Sequence, residues 1–157
     1  MKDEKFDIKE EYSKLKLPLP KFEDLDNEFE ISNASIKNKN FLLRNIRRRV
    51  NEKVIFYCRI IEGLIYPNSN NIIGMIEIKF FDEEEKNEIS KLYKKLMQFE
   101  RESLAIDVNP DDKKDVEYIN TVFKQWRQYK EDLIKITRKM KDSWKMQEET
   151  TKDSYFG

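Results

Sequence analysis

The chain contains no histidine, and that absence narrows its chemistry more than any residue it does contain. Histidine titrates near neutral pH and is the usual general base, as well as the usual nitrogen ligand for zinc, copper or haem. Triads that depend on histidine are therefore excluded within this chain. Any catalysis would fall to carboxylates, lysine or tyrosine. A single cysteine, Cys58, excludes an intramolecular disulfide and suits a reducing compartment. Three glycines and four prolines are too few for a turn-rich all-β chain. No apolar run approaches the length of a membrane span. The stretch Met1–Lys16 is charged throughout, unlike a secretory signal. The expected setting is the cytoplasm, away from membranes.

What is present points to helices. Charged residues make up 39% of the 157 residues and aromatics 12%, a mixture that suits long amphipathic helices around a real core rather than a disordered chain. Net charge is zero but unevenly spread: residues 37–66 hold eight basic and two acidic groups, whereas residues 1–36 hold six and ten.

Three long apolar stripes follow one another. In residues 41–66, Leu43, Ile46, Val50, Val54, Tyr57, Ile61 and Leu64 recur every three or four positions, with Asn40 as N-cap and Pro67 as the stop. A second helix starts at Asp82, with Glu85 completing a capping-box pattern. It carries Ile89, Leu92, Leu96, Phe99 and Ser103 and ends near Ile106. A third starts at Asn109-Pro110, with Asp111 and Asp112 favoured by the helix dipole. Its stripe is Ile119, Val122, Trp126, Tyr129, Leu133, Ile136, Met140 and Trp144. At about 35 residues, roughly 50 Å, it should outrun its neighbours.

These stripes predict an all-α fold: an antiparallel bundle of three long helices with a partly ordered N-terminal arm, completed by the arm or by dimerisation. The expected organisation is an arm over 1–39, a bundle domain over 40–147 and a flexible tail over 148–157. In the arm, a short helix within Asp3–Lys16 precedes a Leu17-Pro-Leu-Pro-Lys21 break and an acidic helical segment; Ser32–Asn40 reads as a linker. Residues 72–81 mix strand-like alternation with an apolar run. They read as a buried connector, with β pairing across a dimer as the alternative.

Three features carry candidate function. Phe22, Leu25 and Phe29 lie at helical spacing on an acidic segment, the pattern of a helix that docks in a partner's groove; packing on the chain's own helices is the competing reading. Arg44, Arg47, Arg48 and Arg49 cluster on the first long helix. They form a candidate surface for nucleic acid or an acidic partner, or else a solvated face paired with the chain's own acids. Finally, Glu84-Glu85-x-x-Glu88 resembles the motif of the all-α nucleotide pyrophosphohydrolases of the MazG type. In that family it pairs with a later Glu-x-x-Asp to hold magnesium. The best later match, Asp112-Lys-Lys-Asp115, departs from the family pattern in its first residue. In an antiparallel hairpin turning near residue 108, Glu88 would instead face Gln128, Glu131 and Asp132.

The favoured reading is a non-catalytic interaction or scaffold protein that acts through its bundle and arm. It is expected to be a homodimer with a further protein partner, and to need no metal or cofactor. A nucleic-acid-binding accessory protein is the first alternative, and a magnesium-dependent nucleotide hydrolase the second.

Overall fold

The computed structural model describes residues 6–155, and side chains within 6–149. The part of the expected arm before residue 6, and the side chains of the expected tail from residue 150, lie outside the described residues. The described residues are mostly helical, with no strand among them. Six α-helices follow in order: α1 (Ile8–Lys14), α2 (Phe22–Phe29), α3 (Leu42–Ile65), α4 (Ile72–Glu77), α5 (Glu83–Val108) and α6 (Asp112–Tyr155). No helix is long and apolar enough to cross a membrane among these residues. The chain forms two compact units, one of residues 1–56 and 96–126, the other of residues 57–95 and 127–157.

In the first unit, Asp7 caps α1 by accepting hydrogen bonds from the Lys9 and Glu10 amides at 3.0 and 3.2 Å. After the Leu17–Pro20 break, the Tyr12 hydroxyl donates to the Pro20 carbonyl at 2.6 Å, which ties α1 to the segment that follows. α2 ends where Glu30 adopts a left-handed conformation (φ 52°), a turn that brings Ile31 into the core. Leu25, Phe29 and Ile31 are buried there with Ile46, Val50 and Val54 of α3 and Leu96, Ile119, Val122 and Trp126. The polar segment before α3 contains two 3-10 turns. The second is capped by Asn38, which accepts from the Asn40 amide at 2.9 Å, so Asn40, the expected cap of α3, lies inside a 3-10 turn that leads into α3.

In the second unit, Cys58, Ile61 and Leu64 of α3 are buried, as are Phe81, Ile89, Leu92, Leu133 and Ile136. Asp82 and Glu85 form the reciprocal capping box, each amide donating to the other's carboxylate at 2.8 Å. Residues 72–81 differ from the expected connector or strand. They form α4 and a 3-10 turn at Ile78–Phe80. Helix wins here because Asn71 accepts from the Gly74 amide at 3.1 Å and starts a turn that needs no strand partner.

α6 also differs at both ends. Asp111 caps it, accepting from the Lys113 amide at 2.9 Å, so it begins after Asn109-Pro110 rather than at them. It continues to Tyr155, through most of the segment expected to fray.

Candidate functional site

The four arginines expected to form an exposed face have separate tasks in the first unit. Arg47 follows Ile46 on the flank of the α3 stripe, and its side chain is fully buried. Its Nε donates to Asp115 Oδ1 at 2.5 Å. One terminal nitrogen donates to the Ser103 carbonyl at 3.1 Å and to the Ser103 hydroxyl; the other donates to Asp107. Arg48 adds a 3.1 Å hydrogen bond to Asp107. Burial disfavours the Asp107 charge, but the hydrogen bonds from Arg47 and Arg48 outweigh it and hold the carboxyl below its ordinary range. Burial pushes the Asp115 carboxyl up, against the opposing pull of Arg47. Arg49 donates to Glu52 at 2.7 Å and to the Glu30 carbonyl at 3.3 Å. The Arg44 guanidinium lies 5.0 Å from the centre of the Phe41 ring.

The arm motif also faces inward. Leu25 and Phe29 are in the core, and Phe22 is half-buried with its ring 5.5 Å from Tyr12. Phe29 packs on Trp126 with ring centres 5.3 Å apart. The Trp126 indole donates to Glu28 at 3.0 Å, and the Lys53 ammonium sits 5.5 Å from the indole ring while donating to the Glu28 carbonyl. Leu25 and Phe29 are thus used within the unit, as the competing reading of the motif had it.

The second unit holds a cleft of about 290 Å³. From α5 and the residue before its cap come Phe81, Glu84, Glu85, Glu88, Ile89 and Leu92; α6 supplies Asp132, Lys135, Ile136 and Lys139. The carboxylates thus line one cleft with Asp132, one of the three residues expected opposite Glu88. Lys139 Nζ donates to both oxygens of Glu85, at 2.6 and 2.5 Å, and stands 5.3 Å from the centre of the Phe81 ring. The Lys139 hydrogen bond, reinforced by the Asp82 amide, holds the Glu85 carboxyl below its ordinary value. Glu88 pairs with Lys91 at 2.8 Å, and Asp132 accepts from Gln128 at 3.3 Å. A magnesium site needs converging oxygen donors. Glu85 is instead committed to Lys139, and Asp115 to Arg47. Among the described residues, no three His, Cys, Asp or Glu side chains are grouped to hold a metal ion. The donors that the resemblance implies do not fit magnesium.

A second feature of this unit is the outer face of α4. Ile72, Ile73 and Met75 are 63%, 59% and 45% exposed. The same helix buries Gly74 and Glu77. The backbone at Gly74 is pressed so closely on Gly63 that a β-carbon there would lie 1.9 Å from the Gly63 carbonyl oxygen. The Asn71 amide group donates to that oxygen at 3.2 Å. Trp144, 41% exposed, donates its indole N–H to Glu77 at 3.4 Å. Burial raises the Glu77 carboxyl, and the Trp144 hydrogen bond only partly offsets this.

Neither α4 nor the Arg47 cluster was legible as a site. α4 was hidden by an apolar run of mixed period. The cluster left one signal, a serine, Ser103, on a stripe otherwise built of large apolar residues. Compared with protein-family models, curated proteins and solved structures, the chain matches none.

Proposed function

We propose that this chain is a non-catalytic interaction protein: an antiparallel bundle of α3, α5 and α6 that pairs with a second copy of itself through the outer face of α4. The carrying observation is that Ile72, Ile73 and Met75 present large apolar side chains to solvent on one short helix. Exposed apolar side chains grouped in this way mark contact surfaces more often than scattered ones do. Covering each would contribute about 1.5–3 kcal/mol, less what imperfect burial and association cost. The only charged residue of α4, Glu77, is buried, so the face is uncharged. An uncharged apolar face suits a two-fold contact, in which each patch meets its own copy without charge repulsion. The seating of Gly74 on Gly63 supports the reading, because it holds the face in place before any partner arrives.

The arginine placements weigh against the nucleic-acid alternative. Arg47 is buried, and Arg48 and Arg49 are engaged with carboxylates of the same unit. The proposal is tested by light scattering on the full chain across a concentration series. A dimer is expected, converted to a monomer by Ile72→Ser with Ile73→Ser. A monomer of 19.1 kDa at every concentration would overturn the dimer.

A further inference from the structure

We propose that Glu77 is a proton-operated latch: with its proton it holds the last turn of α4 down on the second unit, and on ionising it lets that turn go. The latch works within one chain and does not depend on the pairing of two copies.

The two ends of α4 are held in different ways. At the first turn the hold is made by groups that do not titrate. Gly74 lies against Gly63, and the Asn71 side chain bridges the Gly63 carbonyl and the Gly74 amide. At the last turn the inward side is Glu77, which is 6% exposed. Its Oε2 accepts one hydrogen bond among the described residues, from the Trp144 indole at 3.4 Å. A helix of six residues has little stability of its own. Turns flank it, at residues 67–70 before and Ile78–Phe80 after. The last turn therefore depends on what its side chains bury, and Glu77 is the one charged residue among them.

No cation compensates a charge on Glu77 among the described residues. The charged and titratable groups on the elements around it are Lys79 after it, Lys141, Lys145 and Glu148 beside Trp144 on α6, and Glu62 and Tyr66 at the end of α3 that carries Gly63. The carboxyl answers instead to two influences: burial raises it, and the Trp144 hydrogen bond only partly offsets that. A neutral donor at 3.4 Å does not neutralise a carboxylate, so the ionised group is better placed in water. In the released turn the carboxyl has its ordinary value near 4.5. Docking is accordingly strongest below that pH and weakens as pH rises through the higher, docked value.

The test is amide exchange of the full chain, followed by NMR at pH 4 and pH 7 with the ordinary pH dependence of exchange divided out. The amides of Ile76, Glu77 and Ile78, the last bonded to the Gly74 carbonyl, should lose protection several-fold at pH 7. Glu77→Gln keeps an acceptor for the indole and cannot ionise, so it should remove the loss; circular dichroism checks that its fold is kept. Trp144→Phe removes the donor to the charged form and should enlarge the loss. In Ile72→Ser with Ile73→Ser, which disables the apolar face, the loss should persist. Equal protection at both pH values in the parent, or the same loss in Glu77→Gln, would overturn the latch. An unchanged or smaller loss in Trp144→Phe would also overturn it. So would a loss that vanishes in the Ile72/Ile73 variant, which would show that pairing of copies, and not Glu77, governs α4.

Discussion

Arg47 and Asp115 form an ion pair 2.5 Å long in which neither side chain is more than 2% exposed. They are 68 residues apart in sequence and join α3 to α6 inside the first unit. Burying two charges costs several kcal/mol per ion, offset only if the remaining donors are also satisfied. The Arg47 donors reach Asp115, both oxygens of Ser103, and Asp107. The cluster is consequently a lock between α3, α5 and α6, and its energetics should follow from how completely each variant leaves a charge unpaired.

Asp115→Ala leaves the buried guanidinium with Asp107 as its one remaining carboxylate partner. The expected loss is about 3–5 kcal/mol, the range for removing one partner of a buried pair. Arg47→Met should cost less, because burial already favours the protonated form of Asp115, which can then shed its charge. The two losses should be strongly non-additive, since the double variant leaves no buried charge at either position. Urea denaturation of the four proteins in a double-mutant cycle checks this. Additive losses would mean that the pair does not act as a unit.

Glu77 sets a pH dependence of the opposite sign to the usual carboxylate. Burial raises its carboxyl in the folded chain, so the folded state holds its proton at pH values where the unfolded chain, with an ordinary value near 4.5, has lost it. Stability from this group is complete below pH 4.5 and is lost as pH rises through the folded value. Glu77→Gln keeps an acceptor for Trp144 and removes the titration. The variant should match the parent in acid and be the more stable of the two at pH 7. Denaturation midpoints compared at pH 4 and pH 7 decide it. A parent that gains on the variant as pH rises would show that Trp144 stabilises the charged form more than burial disfavours it.

These groups also show where the sequence could be read and where it could not. The α6 stripe was legible because a helix that buries one face must repeat its apolar residues every three or four positions, and Ile119, Val122, Trp126, Tyr129, Leu133 and Ile136 are buried as that rule requires. The capping box at Asp82 and Glu85 was legible because its two hydrogen bonds are local. Arg47 was not. Its neighbours Arg44, Arg48 and Arg49 made it look like one more surface charge, and its partners lie 56 to 68 residues away. For the arm, Phe22, Leu25 and Phe29 gave the helix and its apolar face. Spacing alone does not say whether that face meets another protein or Trp126 of the same chain. α4 was missed because its apolar run mixes periods, and the contact that fixes it is between two glycines, which leave no pattern of their own.

That contact yields the sharpest prediction. A β-carbon added at Gly74 would lie 1.9 Å from the Gly63 carbonyl oxygen and 2.9 Å from its carbonyl carbon, both backbone atoms that cannot rotate away. α4 would have to lift, and the hydrogen bond from Asn71 to Gly63 would be strained with it. At Gly63 the case is different. A β-carbon there would meet the Asn71 amide nitrogen at 2.5 Å, and that nitrogen is the end of a side chain able to turn aside. Alanine also favours the helix interior over glycine by about 1 kcal/mol, which offsets part of the loss of the Asn71 contact. Gly74→Ala should therefore destabilise by about 1–3 kcal/mol, as overpacking against a fixed neighbour does. Gly63→Ala should stay within about 1 kcal/mol of the parent. The difference should be local, with amide exchange in Ile72–Glu77 accelerated by Gly74→Ala more than by Gly63→Ala. If α4 carries the contact between copies, Gly74→Ala should also weaken the dimer while every apolar side chain on the face is still present. Equal effects of the two substitutions would show that α4 is held by its side chains and not by the close approach of the two backbones.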